Sequence, residues 1–160
     1  CTERGDIALI QGVVIKKLET HPDKRGFFRE ILRLSDEFPQ EGIGQWSHSL
    51  MFNDVVKAWH LHKIQTDYFY VASGVMRVGL YDLRPDSPTY KGTMDFLIGD
   101  FQPPVVVKIP PGVAHGCKTV QGPVHLIYFT SHIYNPSDEL RIPHDDPEIG
   151  FDWLAGPEIK

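Results

Sequence analysis

The sequence predicts an all-β fold of the jelly-roll type, a sandwich or barrel of facing sheets. Short segments rich in Val, Ile, Phe and Tyr recur along the whole chain between Gly, Pro, Asn and Asp breaks. No stretch shows an apolar helical period; the only helical feature expected is a short turn at Ser35–Phe38. Closely spaced strands with turn signals between them fit a folded-over β architecture. At 160 residues the chain is read as one domain, 1–160, large enough to bury a core.

Strands are expected in order at Ile7–Leu18, Phe27–Leu34, Ser47–Met51 and Val55–Leu61, with a loop from Pro39 to Gly44 before the third. Tyr68–Val71 and Val75–Leu83 follow, and the Ser73-Gly74 pair between them signals a hairpin. Arg84 to Lys91 reads as a loop. Beyond it come Thr93–Ile98, Val105–Ile109, Gly116–Val120 and Val124–Thr130. After Asn135 the chain turns Pro- and Asp-rich and is expected to lie against the barrel. No internal boundary, repeat or low-complexity segment interrupts this pattern.

Hydrophobic and charged contents of 41% and 23% are those of an ordinary soluble domain. The longest apolar runs, such as Val124–Thr130, are too short to span a bilayer. A net charge of −5 argues against nucleic acid as the main partner, yet a basic pocket for a phosphate-bearing small molecule is compatible with it. Two cysteines, Cys1 and Cys117, make no disulfide framework, which suits a reducing cytoplasm. No signal peptide is visible before Cys1, so a trimmed start is expected rather than a processed lipoprotein.

Two motifs carry the chemistry. His60 and His62 stand at i and i+2, so on a strand both side chains aim into one cavity. Asp67 and Gly74 follow, and Pro110-Pro-Gly-Val-Ala-His115 places a third histidine after a turn. Together these resemble the paired motifs of the cupins, small β-barrels with a polar pocket inside.

A closer resemblance covers nearly the whole chain. Asp23-Lys-Arg-Gly-Phe-Phe-Arg-Glu30, Lys57-Ala-Trp-His60, Asp82-Leu-Arg-Pro-Asp-Ser-Pro-Thr89, Pro111-Gly-Val-Ala-His-Gly116, Tyr134-Asn-Pro136 and Asp146-Pro-Glu-Ile-Gly-Phe-Asp-Trp153 occur in family order. Each resembles an element of the dTDP-4-dehydrorhamnose 3,5-epimerases. The resemblance implies a cupin fold, a homodimer with an N-terminal strand or arm exchanged, and a cytoplasmic isomerase of carbohydrate biosynthesis, of the dTDP-rhamnose kind. It implies a nucleotide-sugar substrate inverted beside a 4-keto group, once or twice, with no cofactor required. By position His60 is then the base and Tyr134 the acid. His115 orients the ketone, Arg25 and Lys57 bind phosphate, and Gln45, His48 and His62 complete the pocket wall.

Four departures accompany this. The family usually has glutamine at His62, a lysine near Asp67, an acid at Val78, and a longer tail whose aspartate nears the base. Asp67 in place of a lysine reverses the local charge, and on a regular strand Lys63 alternates away from His60 and His62. The same changes give the ligand types of a metal-holding cupin: His60, His62, Asp67 and His115, suited to a divalent ion. That is the alternative enzyme reading; a non-catalytic sugar-nucleotide-binding cupin is a third. Tyr68, Phe69 and Tyr70 are expected to fill barrel and dimer core, and Trp59 either to join the core or to narrow the sugar pocket.

Overall fold

In a computed structural model, which describes residues 9–36, 39 and 41–155, apolar–polar alternation becomes ten strands and one short 3-10 turn. The strands are β1 (Val14–Lys17), β2 (Thr20–Asp23), β3 (Gly26–Arg29), β4 (Gln45–Met51), β5 (Val56–Leu61), β6 (Asp67–Asp82), β7 (Thr93–Gly99), β8 (Val105–Ile109), β9 (Val113–Thr130) and β10 (Leu140–Arg141), with the 3-10 turn at Pro136–Asp138. No α-helix occurs among the described residues. At Ser35–Phe38, the amide of Asp36 closes a turn on the Arg33 carbonyl, while residues 37 and 38 lie outside the described residues.

Two long strands organise everything else. The first part of β6 pairs with β8 and with the last part of β9, and its second part pairs with β7 and the first part of β9. One layer therefore runs β1-β8-β6-β9-β4 and the other β7-β6-β9-β5-β10. The layers face each other as a jelly roll without closing into a continuous barrel. A separate hairpin, β2–β3, stands apart from both.

The hairpin expected at Ser73-Gly74 is a bend instead. Register shifts between Val71 and Met76 carry β6 from one layer to the other. Gly74 has φ +89°, and a Cβ there would lie 2.7 Å from the Pro123 carbonyl oxygen. A small residue with positive φ serves a bulged corner as well as a tight turn, and the local sequence does not distinguish them. The segments expected at 116–120 and 124–130 fuse into β9 for the same reason. The strand expected over Ile7–Leu18 shortens to β1 after a turn at Gln11-Gly12, and residues 7 and 8 lie outside the described residues. Strand β2, too polar to stand out in the sequence, forms because β3 pairs with it residue for residue.

The main core lies between the layers and includes Met76, Val78, Leu80, Met94, Val107 and Leu126. Val78, where the resembled family has an acid, is fully buried among them. A second cluster covers the outer face of the β5-containing layer. There Phe151 and Trp153 of the tail pack on Trp59, which is 1% exposed and so does not narrow the cavity. Gly79 and Gly116 make the room: a Cβ on either would lie 2.7 Å from the Trp153 ring. Arg77 clamps the tail by donating to the Asp152 carbonyl at 2.8 Å and stacking on Phe151. The tail thus lies against the sheet, as expected. Alternation divides the aromatic trio: Tyr68 and Tyr70 join Phe129 in a third cluster, while Phe69 faces the main core.

Candidate active site

The cavity opens between the layers and holds about 230 Å³. Strand parity decides which side chains reach it. His60 on β5 sits directly opposite His115 on β9. His62, one residue beyond the end of β5, still shares their side, and its ring stacks on His115 at 5.5 Å, as His60 does at 6.1 Å. Lys57 and His60 are three residues apart, an odd spacing that would place them on opposite faces of a regular strand. The irregularity in β5 between them brings both to the cavity.

Asp67 begins β6 and forms the acidic centre. Its Oδ2 lies 3.1 Å from His115 Nε2 and 3.5 Å from His62 Nε2, and its Oδ1 accepts from Gln65 Nε2 at 2.7 Å. Burial opposes its ionisation, but the two imidazoles outweigh burial and hold the carboxyl well below the usual carboxylate range. Burial pulls His62 down, but Asp67 and the Asp138 carbonyl raise it above an ordinary histidine. His60 is lowered, first by burial and then by His115 and Arg141, with Glu139 opposing.

The segment after β9 supplies residues that the motifs did not mark. Glu139 Oε1 lies 3.5 Å from His60 Nδ1, and Glu139 also accepts from the Tyr134 hydroxyl at 3.1 Å and from Arg141 at 3.2 Å. Asp138 accepts from the backbone N–H groups of Lys63, Ile64 and Gln65, which fixes the β5–β6 turn. The contacts to His60 and to the β5–β6 turn join positions more than seventy residues apart, which no local spacing records. Tyr128 was also missed, although its signal was present: it shares parity with Leu126 and Thr130 on β9, and all three line the cavity. Its ring packs edge-on against Phe69, and its hydroxyl has no hydrogen-bond partner among the described residues.

The other expected site residues divide. Gln45 and Lys57 line the cavity; Gln45 Oε1 accepts from the Tyr134 amide and Lys57 Nζ donates to Ser49 Oγ at 3.3 Å. Tyr134 stands at the rim, 62% exposed. His48 does not line the cavity. It has the parity of Trp46 and Leu50, opposite to Gln45, and pairs with His125 at 2.9 Å on the outer face. Arg25 does not reach its own chain's cavity either; it sits in the β2–β3 turn, paired with Asp23 at 2.5 Å. Of the four metal ligands considered, His62, Asp67 and His115 converge, with ligand atoms all within 4.8 Å of one another, while His60 stands outside that group.

The sequence family model described as dTDP-4-dehydrorhamnose 3,5-epimerase matches residues 8–160. The spore coat polysaccharide biosynthesis protein SpsL of Bacillus subtilis is 46% identical over 91% of this chain and 97% of its own length. The probable low-salt glycan biosynthesis epimerase Agl13 of Haloferax volcanii is 37% identical over 91% of this chain and 96% of its own. Among solved structures, a dTDP sugar isomerase from Desulfovibrio desulfuricans superposes with a TM-score of 0.84 at 29% identity, covering 92% of this chain and 94% of that one. With the six sequence elements, the jelly roll and the histidine-lined cavity all agreeing with that match, the chain belongs to the dTDP-4-dehydrorhamnose 3,5-epimerase family.

Proposed function

We propose that the protein epimerises a dTDP-linked 4-keto-6-deoxy sugar, inverting a carbon beside the ketone. The observation that carries this is His60, a half-buried imidazole at the cavity wall whose proton affinity is lowered, so that it is an unprotonated base near neutral pH. A proton α to a ketone is acidic because its loss leaves an enolate with charge on the ketone oxygen. His60 takes that proton, the carbon becomes planar, and a proton delivered to the opposite face inverts it.

Two tyrosines compete as donor, and geometry favours Tyr128 over Tyr134. Tyr134 is exposed and its hydroxyl proton is engaged by Glu139, whereas Tyr128 faces the cavity with a hydroxyl that has no hydrogen-bond partner among the described residues. Glu139 anchors His60 Nδ1 and leaves Nε2 to act. His115 orients the ketone, and Lys57 is a cation for the diphosphate. In this reading the reaction requires no cofactor.

The β2–β3 hairpin supports a homodimer with exchanged arms. Arg25, Phe27 and Phe28 are largely exposed and serve no purpose in their own chain's cavity, so Arg25 is assigned to phosphate in the partner's. A nucleotide-sugar substrate and a free buried thiol at Cys117 support a cytoplasmic setting.

Incubation with dTDP-4-keto-6-deoxyglucose, with products identified by NMR coupling constants, tests the reading. Inversion at one or both carbons flanking the ketone is expected. Stoichiometric binding with the sugar recovered unchanged would replace the enzyme with a binding protein.

A further inference from the structure

The convergence of His62, Asp67 and His115 raises a question of charge that the proposed reaction does not answer. His62 Nδ1 lies 2.8 Å from the Asp138 carbonyl oxygen and His115 Nδ1 lies 3.4 Å from that of Val113. A carbonyl only accepts, so each Nδ1 carries the hydrogen, and in the neutral ring each Nε2 presents its lone pair. Both Nε2 atoms lie close to Asp67 Oδ2, at 3.5 and 3.1 Å. All three side chains are at most 14% exposed, where the carboxylate and two imidazoles need positive charge, supplied either by a further proton on one ring or by a cation among the three atoms.

The two separations from Asp67 Oδ2, 3.1 and 3.5 Å, suit an ion. Nitrogen and oxygen ligands bound at about 2.0–2.2 Å to a tetrahedral or octahedral metal lie roughly 3–3.5 Å from one another. The surrounding contacts are also those that hold metal ligands in place. Backbone carbonyls hold both Nδ1 atoms, and Gln65 Nε2 occupies Asp67 Oδ1 at 2.7 Å, which leaves Oδ2 for the ion.

We propose that His62, Asp67 and His115 form a mononuclear site for a divalent first-row transition ion, with its remaining positions open to the cavity. Two imidazoles and one carboxylate suit Zn²⁺, Fe²⁺, Co²⁺ or Mn²⁺ rather than the all-oxygen cations Ca²⁺ and Mg²⁺. His60 is not a ligand; its Nδ1 faces Glu139. The site stands independently of the proposed epimerisation, since metal alone reports on it.

The test strips the full chain with a chelator and titrates it with Co²⁺, reading the visible d–d absorption and the stoichiometry. One equivalent with d–d bands is expected for the wild type. Affinity should fall about 100-fold or more in His62→Gln and in Asp67→Asn, and stay within about twofold in His60→Asn. His62 is at the cavity wall, so His62→Gln should keep the fold even where the buried Asp67 change does not. A wild type that binds no stoichiometric Co²⁺, or a His62→Gln variant with wild-type affinity, overturns the proposal. So does a His60→Asn variant that loses the ion as His62→Gln does, because the ligand set would then be a different one.

Discussion

A single imidazole, His60, carries the proposed chemistry, and its environment sets its pH range. Burial, His115 and Arg141 lower its pKa, and Glu139 only partly opposes them. The base works unprotonated, so activity falls as pH drops through this pKa. The acid limb of kcat/KM should therefore lie below about 6.5, the ordinary histidine value. Glu139→Gln removes the group that raises the pKa and anchors Nδ1, so the limb should move further down while kcat falls about tenfold at neutral pH. For the tyrosines, steady-state kinetics should show Tyr128→Phe losing about 10²–10⁴ in kcat and Tyr134→Phe much less. The reverse order would return the acid role to the rim. Motif spacing made His60, His62, Asp67 and His115 legible as cavity residues, and the family resemblance added Lys57. Spacing could not deliver Glu139, whose approach depends on where the segment after β9 returns. The family resemblance also placed His48 in the wall, although its parity, opposite to that of Gln45, sends it outward.

At the scale of elements, loops pinned by one carboxylate hold the site. Asp138 accepts three backbone N–H groups from the β5–β6 turn, and its carbonyl holds His62. Asp138→Ala leaves those donors unpaired, so urea unfolding should show a loss of about 1–3 kcal/mol. Asp82 does the same for the loop after β6: burial raises its pKa, but Arg84, Ser87 and Thr89 outweigh it and bring it well below the ordinary carboxylate range. A depressed folded pKa means stability that is present above the unfolded value of about 3.9 and lost as pH falls below it. Asp82→Asn should be less stable at pH 7 and lose less on acidification than the wild type, as followed by thermal melts from pH 7 downward. Here the sequence was legible for the strands themselves, whose alternation is local. It was not legible for the corner at Gly74, where hairpin and bend share one residue chemistry and only the partner strand chooses between them.

The whole molecule is two layers joined by β6 and β9 and covered on one outer face by its own tail. Trp153 reaches that face only because Gly79 and Gly116 lack side chains. Trp153→Ala should cost about 3–5 kcal/mol in denaturant unfolding. The jelly roll was legible because closely spaced strands with turn breaks leave few other architectures. Strand β2 of the separate arm was not, because Thr20-His-Pro-Asp23 carries no apolar signal. If that arm completes a partner's cavity, Arg25→Ala should weaken dTDP binding about tenfold or more in calorimetry while leaving the fold unchanged.

The central claim is that His60 removes a proton beside the ketone. Its most direct test is proton exchange in D₂O on dTDP-4-keto-6-deoxyglucose, followed by NMR, with wild type and His60→Asn compared. Deuterium should enter the carbons flanking the ketone with the wild type, and the rate should fall by about 10² or more in His60→Asn while dTDP binding holds. Undiminished exchange in His60→Asn, or none in a wild type that binds the nucleotide sugar, would contradict it.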